Sequence, residues 1–290
     1  MKTLSRILLV IGAQILAFGY LAGRVLTARR KPDPADSPAN YGLPFKSIYF
    51  HSRDGLRLHG WWIPADYAHG SIIQCHGQNG SMDADLGAAQ MLHQAGFNVL
   101  MFNFRAHGKS TGDVVTFGWF EANDLLGAVD YLEKTHKIKQ VGVLGFSMGA
   151  TVAIRAAGFS DAIACIVADG VVGRLNVTIE NWFIDKGVPD WLAEPVARLV
   201  LSMGSLQTGA ALNQVNAIRW AGDIWNCPLY IIHGAEDTLV PLADIEDIVA
   251  NARVETELWI AEGCGHREAT ILYPDEYIER VVAWFSEHLL

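Results

Sequence analysis

A serine hydroxyl becomes a useful nucleophile only when a base takes its proton and a carboxylate orients that base. One serine of this chain has a setting made for that use. Ser147 stands in Gly145-Phe146-Ser147-Met148-Gly149, where the apolar run Val141–Phe146 ends and a helical pattern from Met148 to Ala157 begins. A strand that turns into a helix within one or two residues holds its serine strained with the hydroxyl exposed, and leaves no room for side chains at 145 and 149. The helix behind it aims backbone N–H groups at the reacting centre. An ordinary helix N-cap is the competing role for Ser147. Partners follow in the order acid, then histidine. Asp237 lies three residues past Gly234, which closes the apolar run Leu229–His233, and His266 lies in Gly263-Cys264-Gly265-His266 after the strand-like Glu257–Ile260. Both fall at strand C-terminal ends, where open α/β sheets form their crevice. Glu236 is the rival acid, and Cys264 reads as filler in a tight loop. An oxyanion needs two fixed donors. The N–H of Met148 is one, and that of Gln78, in His76-Gly77-Gln78 after the strand Ser71–Cys75, is the other, unless His76-Gly77 is simply a turn. Arg105 and Ser110 read as structural hydrogen-bonding residues beside the site, and no Walker-type phosphate loop is present.

The elements that must position these residues are legible as periodicity. Lys46–Ser52 and Leu56–Ile63 alternate apolar and polar residues around Arg53-Asp54-Gly55, which predicts a hairpin. Apolar runs then alternate with helical patterns: strands at Ser71–Cys75, Phe97–Phe104, Val141–Phe146, Ile163–Ala168, Leu229–Ile232 and Glu257–Ile260; helices at Met82–Gln94, Trp119–His136, Met148–Ala157 and Tyr277–Leu289. Near-continuous apolar strands separated by helices predict an α/β fold with a mostly parallel sheet covered on both faces. Residues 173–226 lack a strand pattern and are rich in Trp and Leu, which predicts helices forming a lid over one end of the sheet.

The first 31 residues differ from the rest. Ile7 to Gly23 carries no charge, with Lys2 and Arg6 before it and Arg24, Arg29, Arg30 and Lys31 after it. Continued to Leu26, the segment fits a membrane anchor over residues 7–26; a cleaved signal peptide ending near Ala17-Phe18-Gly19 and a buried core helix are the alternatives. Two basic residues before the segment against four after it lean toward a cytoplasmic main domain. Residues 32–44, with Pro32, Pro34, Pro38 and Pro44, read as an extended tether. The domain proper runs from 45 to 290. With 22 Lys and Arg against 31 Asp and Glu, a net charge of −9 and no basic stripe, nucleic acid is not an expected partner. Four cysteines make no disulfide framework, and no metal-ligand spacing is present.

Together the Gly-Phe-Ser-Met-Gly elbow, the His-Gly loop, Arg105-Ala106-His107-Gly108-Lys109-Ser110, Gly234-Ala235-Glu236-Asp237 and Gly263-Cys264-Gly265-His266 resemble the α/β-hydrolase-fold serine hydrolases from Phe45 to Leu290. They are most similar to the serine-aminopeptidase-like and monoglyceride-lipase-like branch, which includes membrane-tethered members. The resemblance implies an eight-stranded sheet with an antiparallel second strand and a lid after strand six. It also implies hydrolysis of an ester, thioester or amide by Ser147, Asp237 and His266 with no cofactor. A small-molecule or lipid-like apolar acyl substrate suits the Trp-rich lid. An aminopeptidase-like activity would need an acidic pocket, for which Glu180, Asp185, Asp190 and Glu194 are the candidates; a catalytically silent binding module is the remaining alternative. Ala106 departs from the family, where many relatives carry Gly.

Overall fold

In a computed structural model of the protein, which describes residues 2–31 and 36–289, the predicted strands pair into one sheet of eight: β1 (Lys46–His51), β2 (Arg57–Ile63), β3 (Gly70–Cys75), β4 (Phe97–Phe102), β5 (Val141–Phe146), β6 (Ile163–Asp169), β7 (Leu229–Gly234) and β8 (Thr256–Ala261). Their order is β1-β2-β4-β3-β5-β6-β7-β8. The hairpin strand β2 runs antiparallel to both its neighbours, and β3 through β8 pair in parallel. This is the α/β-hydrolase architecture. Ten helices complete the described chain: α1 (Lys2–Thr27), α2 (Leu86–Gln94), α3 (Glu121–His136), α4 (Met148–Ala157), α5 (Leu175–Asp185), α6 (Asp190–Thr208), α7 (Ala217–Ala221), α8 (Leu242–Asn251), α9 (Ala269–Leu272) and α10 (Pro274–His288).

The apolar runs are continuous because both faces of the sheet are covered while successive side chains point to opposite sides. Ile73, Val143 and Ile231 pack with Leu125 of α3, Ile154 of α4 and Ile248 of α8. Their neighbours Ile72, Leu144 and Ile232 pack with Leu92 of α2 and Val281 and Phe285 of α10. The helix α8 was not anticipated, although Ile245, Ile248 and Val249 carry a helical period. The lid interval folds into α5, α6, a 3-10 turn at Leu212–Gln214 and α7. Of its tryptophans, Trp220 is buried and lies against the Arg155 guanidinium, which is also stacked on Trp119; Trp182, Trp191 and Trp225 are exposed.

The N-terminal region departs from a free anchor and tether. The C-terminal third of α1 packs on α6, where a Cβ on Gly23 would stand 2.7 Å from the Gly204 nitrogen. The chain then runs onto the loop after β4: Val115 N–H donates to the Thr27 carbonyl and Arg30 N–H to the Ala106 carbonyl, while the Arg29 guanidinium reaches the Gly108 and Gly112 carbonyls. Pro32 and Pro34 of the expected tether lie outside the described residues. The described part, residues 36–44, is folded rather than extended. Pro38–Tyr41 forms a 3-10 turn, Pro38 and Leu43 are buried, and the Gln90 amide of α2 donates to the Tyr41 carbonyl. Apolar side chains with a surface in reach bury themselves, and the proline-rich composition does not override that.

Candidate active site

Strand β5 delivers Ser147. Its backbone has φ 51° and ψ −112°, a conformation that costs an L-residue of order 1–3 kcal/mol and survives only where the surroundings enforce it. Here the Ser147 N–H donates to the Asp169 carbonyl at the end of β6 at 2.8 Å. The flanking glycines are required sterically. A Cβ at Gly145 would lie 2.6 Å from Ala150 backbone atoms, and one at Gly149 would collide with the Cys75 carbonyl oxygen and lie 2.8 Å from that of His76. Gly149→Ala should therefore cost about 3 kcal/mol, read as a shift in the denaturant midpoint, because helix α4 must move off the loop that follows β3.

Strands β7 and β8 deliver the other two residues. His266 Nε2 lies 3.0 Å from Ser147 Oγ, and its Nδ1 lies 2.7 Å from Asp237 Oδ2. The second carboxylate oxygen of Asp237 accepts from the Leu239 and Val240 amides at 2.8 and 2.9 Å, so the acid is fixed at both ends. Burial acts to raise the Asp237 carboxyl, but the hydrogen bond and charge of His266 and the Val240 amide outweigh it and hold the group below the ordinary range. The rival acid Glu236 is exposed, and Cys264 is fully buried. Gly234 lets β7 pass the His266 loop, since a Cβ there would collide with the Cys264 and Gly265 carbonyl oxygens.

The two residues expected to supply oxyanion donors, Gln78 and Met148, line one cavity with Ser147. The Gln78 and Met148 N–H groups are not taken up by any loop or turn hydrogen bond among the described residues. The loop that carries Gln78 is held by two buried histidines. His76 Nε2 accepts from the Phe104 N–H at 3.1 Å, which leaves its Nδ1 to donate to the Gly77 carbonyl at 2.7 Å. That carbonyl shares a peptide plane with the Gln78 N–H and so fixes the direction in which the amide points. Burial keeps the His76 ring neutral by lowering its pKa well below the usual imidazole value. His107 spans the Arg105 and Gln78 carbonyls at 2.7 and 2.8 Å. Sequence reasoning passed over both rings as site supports; their signal was a histidine in the loop after each of two neighbouring strands, His76 directly after β3 and His107 five residues past β4.

Arg105 and Ser110 have the structural roles expected of them. Arg105 grips Asp124 through Nε and Nη2 and reaches Asp54 of the hairpin turn at 2.8 Å, and Ser110 Oγ donates to the Asn103 carbonyl. Ala106 has φ 57°, so the turn adopts the left-handed conformation without a glycine. A second group escaped the sequence reading. Arg267 pairs with Asp85 and covers the Phe146 ring, and Tyr277 Oη donates to Asp169 Oδ2 at 3.0 Å. Burial pushes the Asp169 carboxyl up to about 6. These side chains support the His266 loop from beneath, and their distance along the chain hid them.

A small cavity of about 50 Å³ opens at Ser147 and Met148, walled by Val172, Leu175 and Ile179. None of Glu180, Asp185, Asp190 and Glu194 lines it; Asp185 pairs with Lys186 and Glu194 with Arg198 at the outer surface.

A family model described as alpha/beta hydrolase fold matches residues 70–215. The chain is 27% identical over 216 residues to the uncharacterized protein YqkD of Bacillus subtilis, covering 73% of this chain and 70% of that protein. It is 26% identical over 248 residues to the uncharacterized protein YfhR of Escherichia coli, covering 82% and 79%. Among solved structures, the Pyrococcus furiosus esterase Pf2001 superposes with a TM-score of 0.78 at 29% identity, over 91% of this chain and 99% of that one.

Proposed function

The chain belongs to the alpha/beta hydrolase fold family, and from that premise we propose that it is a membrane-anchored serine hydrolase cleaving esters or thioesters of apolar acyl groups. The observation that carries this reading is the unbroken line from Asp237 through His266 to the Ser147 hydroxyl. His266 takes the Ser147 proton as Oγ attacks the carbonyl carbon, and Asp237 stabilises the imidazolium that forms. The Met148 and Gln78 amides receive the oxyanion. The tetrahedral intermediate collapses as His266 returns the proton to the leaving oxygen or sulfur. Water, activated by the same imidazole, then releases the acid. This chemistry needs neither metal nor organic cofactor.

Several observations favour an ester or thioester over a peptide. The cavity walls at Ser147 are mostly apolar and carry no charged side chain, and the four acids that would have received a substrate amino group stand elsewhere. The likeness to an esterase structure points the same way. A silent binding module has no use for a serine held in a strained conformation against an oriented base. The anchor reading rests on Arg6–Thr27, a helix of mean hydropathy 1.7 with only 11% of its most apolar stretch buried, and the flanking charges favour a cytoplasmic domain. The branch assignment, close to the serine-aminopeptidase-like and monoglyceride-lipase-like proteins, is part of the same proposal.

The test is a series of p-nitrophenyl esters and thioesters run beside an amino-acid p-nitroanilide with the full chain in detergent. Turnover of the esters with the anilide at background is the expected result. Hydrolysis of the anilide with the esters untouched would reverse the assignment.

A further inference from the structure

The cavity at Ser147, about 50 Å³, is far below the ~300 Å³ at which pockets hold a sizeable ligand. A second cavity of about 350 Å³ lies beside it. Gln78 and Ile179 border both, so the two abut at the proposed oxyanion residue. One wall of the larger cavity is the N-terminal helix, through Phe18, Ala22, Val25 and Leu26; Trp182 and Val200 of the lid form another.

That wall is fixed in place. A Cβ on Gly19 would stand 2.6 Å from Leu199 Cγ, and one on Gly23 would stand 2.7 Å from the Gly204 nitrogen and 3.0 Å from the Val200 carbonyl oxygen. Small residues four apart bring α1 and α6 into backbone contact. The Gln207 amide of α6 also donates to the Tyr20 carbonyl of α1. The part of α1 ahead of that wall, residues 7–17, is about 17 Å long at ~1.5 Å per residue, short of a hydrocarbon core of ~30 Å. For α1 to cross a bilayer, the stretch lining the cavity must lie in the near leaflet, with Trp182, which faces it across the cavity, near the interface, where such rings are favoured.

We propose that α1 is a wall of the acyl-chain site, and that the enzyme takes the long acyl chain of a membrane-resident ester between α1 and the lid. The proposal rests on the hydrolase reading above but is tested separately from it. The first experiment measures kcat/KM for p-nitrophenyl laurate and butyrate. Ala22→Trp, which fills the cavity from α1, should lower the laurate-to-butyrate ratio about 10-fold or more, the loss of two or three methylene contacts; Leu9→Trp on the projecting part of α1 should leave it unchanged. Thermal midpoints confirm that the variants fold. The second experiment needs no turnover: lauric acid with a terminal diazirine is photolysed with the full chain in phospholipid vesicles. Labelling within residues 22–26 that Ala22→Trp abolishes, while labelling of residues 8–10 persists, is the expected result. An unchanged ratio, or labelling of residues 22–26 that Ala22→Trp does not alter, overturns the proposal. Failure to hydrolyse either ester would overturn the hydrolase reading and leave the photolabelling to decide the chain site.

Discussion

Ser147→Ala should lower ester turnover on the order of 10⁶-fold, the loss seen when a hydrolase of this mechanism is deprived of its nucleophile, and should abolish labelling by a fluorophosphonate. The fold should not suffer. Among the described residues the hydroxyl makes no hydrogen bond other than its contact with His266, while the backbone constraint, φ 51° with the N–H held by the Asp169 carbonyl, is unchanged in alanine. Ser147→Gly separates the two effects. It is equally inactive, but glycine adopts that conformation without penalty, so it should be more stable than Ser147→Ala by about 1 kcal/mol. Equal thermal midpoints for the two variants would mean that the turn stores no strain. Persistent labelling of Ser147→Ala would place the nucleophile elsewhere.

Asp237→Asn should cost about 10⁴-fold in kcat. An asparagine oxygen can still accept from the Leu239 and Val240 amides, which turns its NH₂ toward His266 Nδ1. The imidazole then carries its proton on Nε2 and cannot accept one from Ser147. The same substitution has a pH signature. Because the folded carboxyl is held below its ordinary value, its ionisation contributes stability that is fully present above about pH 4 and is lost as pH falls through the lower folded value. The wild-type midpoint should therefore exceed that of Asp237→Asn at neutral pH, and the gap should close below about pH 4. A gap that widens on acidification would show that Asp237 is protonated in the folded protein.

The sheet and the three residues of the proposed triad were legible because each rests on a local signal. Apolar runs mark strands buried on both faces, Ser147 and Asp237 each follow such a run within a few residues, and His266 follows the shorter apolar stretch of the edge strand β8. Glycine spacing carried the elbow, where the reason is a backbone approach that any Cβ would prevent. Supports assembled from distant segments were not legible. Nothing near Arg267 announces Asp85, and Tyr277 meets Asp169 only because α10 crosses beneath β6. The packing of the N-terminal helix on α6 was hidden for a similar reason. Hydropathy marks residues 7–26 as fit for a bilayer, but the spacing of Gly19 and Gly23 gains meaning only when Gly204, far along the chain, lies opposite.

The stretch Thr27–Arg30 joins two parts that are usually treated as separable. Through the Ala106 carbonyl it is bonded to the residue beside His107, whose ring holds the Gln78 carbonyl. Deleting the leader to obtain a soluble enzyme would thus strip the Ala106, Gly108 and Gly112 carbonyls of their donors and bare the face of α6 around Leu199 and Gly204. A shortened protein prepared in that way reports on a damaged catalyst, so reconstitution with the leader intact is the sounder route to its substrate preferences.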